Sequence, residues 1–378
     1  MKLRRSFWFL GFSLLVLLLF RLFPALMDAV YSRFLYRYAA QGISRLMALL
    51  PFSLAELLLL LLVVFLLFSF IKAFLLLVTK PFKHVGRLCT KWLYRVVVGM
   101  VYAVSVFILT CGVHYHRVPL EEHLKYPDEH ATTEELFALA DYLVQEVNSA
   151  ATYTRRNLEG DMVPDLTFDG YKKEIDRAYD SLEQSTGLVV GGRFPATKPF
   201  LASRLMSYAY LSGFFFPWTL EANINKDVPV FRMPAIMAHE QAHVRGFMRE
   251  NEANFLTYLL ARHTRSGDLK YSCLLLSFNY VLNALYKASA EEHRKVLQQL
   301  SPRVMHDLLT AQEYWEKYRT SFAETSQKVN NAYLKANAQQ DGVASYGRVV
   351  DLMVMDFKRN GTKVQQNTEQ FVSISESP

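Results

Sequence analysis

The pattern of apolar and polar positions divides the chain about a third of the way along. Three long apolar runs come first, Ser6–Phe23, Leu54–Val78 and Val96–Val113, and inside the second the stretch Leu57 to Ile71 carries no charge. A helix of about 20 apolar residues crosses the hydrocarbon core of a bilayer, so the runs predict three membrane spans. Arg21, Glu56 and Lys72 lie near enough to the run ends to reach polar surroundings. The first run is long and is not followed by a small-residue cleavage site, which argues for a retained span over a cleaved signal peptide. Between spans one and two, Ala25–Leu50 interleaves apolar and basic residues. This predicts an amphipathic helix that either lies on the membrane or packs on the domain that follows.

After about residue 115 the periodicity is that of a water-soluble protein. Thr133–Val147 and Asp169–Gln184 read as amphipathic helices, the first with Thr132 or Thr133 as its N-cap. Gly160 and Pro164 break the polar stretch between them into a loop. Gly187–Pro199 is expected to be irregular, Leu201–Gly213 to be helix or strand, and the aromatic Phe214–Asn225 to supply an extended edge. Met233–Val244 reads as a helix opening at Pro234, with Gly246 interrupting before Phe247–Arg262 resumes. Tyr271–Tyr286 is apolar but contains Asn279 and Asn283, which favours a buried core helix over a fourth span. Ser301–Leu334 is a long helical pattern with a break near Ser321, and the polar residues 359–378 read as a disordered tail. The expected architecture is therefore mainly α, with a membrane region over 1–115 and a mostly helical domain with some strand over 116–358.

Charge adds orientation. The chain has a net charge of +7, and much of the excess flanks the apolar runs: Lys2, Arg4 and Arg5, then Lys80, Lys83, Arg87, Lys91 and Arg95. Basic residues beside spans stay on the cytoplasmic side, so both clusters predict an in–out–in–out path with everything after about His114 outside the cytoplasm. Topology accounts for the basic excess, and no nucleic-acid-binding signature accompanies it. The three cysteines are Cys89 in the basic loop, Cys111 at a run end and Cys273 in an apolar stretch. They form neither a disulfide framework nor a metal motif and read as ordinary thiols.

The candidate chemistry lies at His239-Glu240-Gln241-Ala242-His243. Histidines four apart on a helix share a face and can share one metal ion, and the intervening Glu can take a proton from water that zinc has acidified. A catalytic zinc site has three protein ligands and an open position. Beyond Gly246, the run Glu250-Asn251-Glu252-Ala253-Asn254-Phe255 offers the third. Glu250 is the expected ligand, with Asn254 one turn on as a brace for a ligating histidine. Glu252, about 200° round an ideal helix from Glu250, is the alternative.

Several runs together resemble a family of bacterial membrane proteins known as domain of unknown function 3810. They are Gly213–Asn225, His239–Gly246, Glu250–Phe255, Asn331–Asn337 and Asp341–Asp351, with the three spans and the Pro51-Phe52-Ser53 entry to the second. More distantly, the site is similar to the gluzincin metallopeptidases. In those, a Glu on the helix after His-Glu-x-x-His completes the zinc site. The Glu-x-x-x-Asp pattern of that group falls on Glu250 and Asn254, with Asn replacing Asp, and the linker from His243 is short. The resemblance also implies a Tyr or His that stabilises the oxyanion, for which Tyr346 is the first candidate and His263 and His306 are the others. It implies a substrate-binding edge strand before the active helix as well, which would put Glu221 and Asn223 near substrate or bracing the site. The function expected is zinc-dependent hydrolysis of a peptide or protein by a zincin-like domain. That domain would be anchored in the lipid bilayer of the cytoplasmic membrane. The alternative is a non-catalytic, zinc-stabilised binding or sensor protein.

Overall fold

Long runs of Leu, Val and Phe have no polar side to turn toward water, and they form three long helices, two of them the longest among the described residues. A computed structural model describes residues 2–79, 82–195, 197–337, 339 and 347–360. Within it, Leu3–Leu22, Leu54–Leu76 and Leu88–Thr110 are long and apolar enough to cross a membrane. The first of these helices lies along the third. The second presents apolar side chains to its surroundings all round, as expected where lipid is the solvent.

The third helix differs from expectation at both ends. It runs Phe82–Thr110, so Cys89 sits in the helix and not in a loop. Lys and Arg are good helix formers, and the basic segment simply continues the span. At the other end the helix stops at Thr110, and Gly112–His116 turns as a 3-10 helix.

The connection between spans one and two is helical from Pro24 to Met47, wound as a π-helix over Asp28–Tyr36. Of its two expected placements it takes the second and packs on the domain. The Tyr36 hydroxyl donates to the Val244 carbonyl at 3.1 Å, and Arg37 pairs with Glu183 at 3.2 Å. Asp28, nearly wholly buried, pairs with buried Arg117 at 2.6 Å. Burial alone would raise the Asp28 carboxyl, but His123, Arg117 and Arg33 together hold it well below the usual carboxylate range.

The core of the domain is built on the helix Gly267–Ala288, where Tyr271, Phe278 and Val281 are wholly buried. It is a core helix and not a span. Thr133–Thr152 packs along it, opened by a capping box between Thr132 and Glu135. Phe168–Thr186 ends at Gly187 in the left-handed conformation. Arg155–Arg156 (β1) and Met162–Val163 (β2) make a small hairpin in the expected loop. A second sheet comprises Lys198–Phe200 (β3), Gly213–Phe216 (β4) and Glu221–Asn225 (β5) in the order β3-β5-β4. β3 runs parallel and β4 antiparallel to β5. The aromatic segment expected to form one edge thus forms two strands. β4 is the edge, and β5, buried at every position, is the centre.

This sheet covers the helix Met233–Val244, ten of whose twelve residues are buried. The expected break near Ser321 separates Pro302–Glu316 from Ser321–Ala336. A last helix covers 347–360. Tyr346 and the tail beyond residue 360 lie outside the described residues.

Candidate metal centre

Two helices meet at the site. Met233–Val244 carries His239, Glu240 and His243, and Glu250–Leu260 carries Glu250 and Asn254. Gly246 joins them at φ +87, a conformation that side chains rarely adopt. A Cβ there would also stand 3.2 Å from the His114 ring. Around this turn, Arg117 donates to the Gly246 carbonyl at 3.0 Å. Arg249 donates to the carbonyls of Tyr115 and Arg117. The turn that sets the angle between the two helices is therefore held by residues just beyond the third span.

The predicted ligands converge. His239 Nε2 and His243 Nε2 are 3.1 Å apart. Glu250 Oε2 lies 3.3 Å from the first and its Oε1 lies 3.6 Å from the second. For bonds of about 2.0–2.1 Å around a tetrahedral zinc ion, the donor–donor edge is about 3.3–3.4 Å. The His239–His243 and His239–Glu250 separations lie close to that value, and with one ligand atom taken from each residue all three donors fall within 4.8 Å of one another, so the donor set can converge on one such ion.

The outer ring atoms support the same reading. His243 Nδ1–H donates to the Phe247 carbonyl at 2.8 Å, which leaves the Nε2 lone pair facing the centre. His239 lies against the Asn254 side chain. Its Nδ1 and the Asn254 Nδ2 are both buried without partners, while Asn254 Oδ1 accepts from Tyr280 at 3.1 Å. A half-turn of the amide satisfies both atoms, with Oδ1 accepting from Nδ1–H and Nδ2 donating to the tyrosine oxygen.

Glu240 is placed differently from the ligands. Its carboxylate packs on the backbone of Gly213 at the start of β4, and a Cβ at that glycine would fall 2.8 Å from the Glu240 Cδ. Its Oε2 is buried without a partner. Burial pushes this carboxyl up to about 8, with Glu250 adding to the effect and His239 opposing it. Burial likewise lowers His243 to about 4. For Glu250, His239 and His243 outweigh burial and bring it down to about 2. Gly213→Ala should displace the Glu240 carboxylate and lower any hydrolytic rate by about 10²-fold. The zinc content should stay the same. Parallel rate and metal measurements check this, and an unchanged rate contradicts the placement.

Beside these residues is a cavity of about 320 Å³. Tyr115, Tyr333 and Tyr280 line it, together with Gly213, Phe214 and Phe215. Tyr115 donates to the Tyr333 hydroxyl at 3.4 Å. Burial holds both phenols well above their usual range, so both keep their protons.

Other expected site residues lie elsewhere. Glu252 accepts from the Leu120 amide at 3.0 Å and pairs with Arg249 at 2.8 Å, so it anchors the segment after the third apolar helix and stands apart from the His239–His243–Glu250 cluster. His263 bonds Ser181 and Ser185 in a separate cavity. His306 pairs with Asp161. Neither histidine lines the cavity beside the candidate donors.

Glu221 and Asn223 point from β5 to the second span. Glu221 accepts from the Leu54 and Ala55 amides at 3.1 and 2.8 Å and pairs with Lys198 at 2.8 Å. Asn223 accepts from Ser53 at 2.6 Å. They cap a helix and do not line the cavity beside the candidate donors. Tyr115 and Tyr333 were not singled out in the sequence. The only signals were the position of Tyr115 just past a span and of Tyr333 within the Asn331–Asn337 run.

Comparison with curated proteins and with solved structures gave no match. A family described as "Protein of unknown function (DUF3810)" matches residues 31–354. The match takes in the second and third apolar helices, the sheet and both helices that carry the candidate donors. With that span covered, the chain belongs to the DUF3810 family.

Proposed function

We propose that this protein is a membrane-anchored, zinc-dependent peptidase whose zincin-like domain stands on the outer side of the cytoplasmic membrane. The observation that carries the proposal is the pairing of three convergent donors with a buried, unpartnered Glu240 on one open cavity. A purely structural zinc site is closed by four protein ligands, whereas a catalytic one keeps a position open. That favours turnover over the sensor reading.

His239, His243 and Glu250 hold the ion. Zinc bound there supplies a Lewis acid that polarises a carbonyl and acidifies water. Glu240, in a dry setting that raises its proton affinity, takes the proton from the attacking water. The water oxygen bonds to the carbonyl carbon and the C–N bond breaks. Glu240 returns the proton to the leaving amine, giving one carboxylate and one amine product. The Tyr115–Tyr333 pair offers a protonated hydroxyl to the developing oxyanion.

Orientation rests on two supports. The domain joins the spans at Leu22, Leu54 and Thr110, while Lys2, Arg4, Arg5, Lys91 and Arg95 lie toward the opposite ends of their helices. Basic residues mark the cytoplasmic face.

Purified full-length protein incubated with a proteome-derived peptide mixture should generate new amino termini. A chelator should stop this and added zinc restore it. Zinc-loaded protein that leaves every peptide intact overturns the proposal.

A further inference from the structure

The candidate metal cavity lies between the outer end of the third span and the start of β4. Cys111, the residue after the third span's last, lines the cavity together with Tyr115. On the other side, the turn between β4 and β5 reaches down along that span. The Trp218 indole donates to the Ala103 carbonyl at 2.9 Å. Ala103 lies seven residues before Thr110, about 10 Å along the helix from its outer end at 1.5 Å per residue. Trp218 is 44% exposed, packs at a tilt against Phe216 at 4.9 Å and approaches Phe107 at 6.3 Å. A half-exposed Trp beside a span is at home among lipid headgroups.

β4 connects these two places. Gly213 packs on Glu240, Gly213 to Phe215 line the cavity, and Phe216 touches Trp218. The strand pairs with β5 on one side, and among the described residues no backbone pairs with the other. An open edge strand can be extended by another chain through main-chain hydrogen bonds. Four residues at about 3.3 Å each span roughly 10 Å. A polypeptide added to this edge would thus leave the bilayer beside Trp218 and meet Glu240 a few residues later.

We propose that the substrate is a polypeptide anchored in the same bilayer, received in extended form along the free edge of β4 and cut within about six residues of the membrane surface. This rests on the peptidase reading. The shared chemistry of the substrate is an extended juxtamembrane backbone, and the anchor can be an acyl chain or a transmembrane helix.

The test uses full-length protein in liposomes with one randomised, fluorescence-quenched peptide presented three ways: palmitoylated, fused to a single transmembrane helix, and free in solution. Confinement to one surface raises the effective concentration, so one or both anchored forms should be cut at least about 10²-fold faster than the free form. Cuts should fall within about six residues of the anchor. Equal rates for free and anchored peptides overturn this inference and leave the peptidase reading standing. No cutting by zinc-loaded protein overturns both.

A readout without turnover uses brominated lipids, which should quench the fluorescence difference between wild type and Trp218→Phe. Quenching by aqueous iodide alone would place the turn in water and overturn the proposed path.

Discussion

Glu240→Gln should retain zinc and lose peptide hydrolysis by about 10²–10⁴-fold, the usual worth of a positioned general base. The amide keeps the size and nearly the shape of the carboxylate, so its packing on Gly213 survives. It cannot accept the proton of water. The three donors do not include Glu240, so metal content should match wild type. Parallel rate and zinc measurements on the two purified proteins decide the matter. A variant that cleaves as well as wild type removes Glu240 from the chemistry. One that loses zinc instead makes Glu240 a ligand.

The second large effect is on stability. Glu221 is wholly buried and collects four partners: two amides at the start of the second span, Lys198 and Thr219. Glu221→Ala strips the cap and leaves the buried Lys198 ammonium, among the described residues, with the Met47 and Phe52 carbonyls alone. Removing one partner of a buried ion pair costs about 3–5 kcal/mol. The sheet should loosen from the span, with a clear fall in Tm of the detergent-solubilised protein. An unchanged Tm would mean that the ion pair does not hold sheet to span. Glu56 makes the reciprocal contact, accepting from the Leu201 and Ala202 amides at 2.8 Å each. The second apolar helix and the domain are therefore joined by polar contacts in both directions, buried on the Glu221 side and nearer the surface on the Glu56 side.

The spans, the core helix Gly267–Ala288 and the three convergent donors were legible because each rests on local periodicity. Leu57 to Ile71 can only be buried or lipid-facing, and histidines four apart share a helix face whatever surrounds them. That Glu250 and not Glu252 would stand beside the two histidines was legible for the same reason, once Gly246 was taken as a chain reversal. What failed depended on distant partners. Glu221 and Asn223 sit in the segment where a site residue was expected, but side chains alternate along β5, and theirs face Ser53–Ala55, roughly 170 positions away in sequence. His263 and His306 were candidates by residue type alone, and their serine and aspartate partners claim them. Tyr115 was hidden because a tyrosine just past a span reads as an interfacial anchor. Only the third dimension brings it to the cavity with Tyr333.

The central claim is that two imidazoles and one carboxylate hold zinc. Metal analysis of full-length protein purified in mild detergent tests it directly. About one zinc per chain in wild type, and none in His239→Ala or Glu250→Ala proteins that keep their helical content, is the expected result. Wild type without zinc, or variants that keep it, would contradict the account.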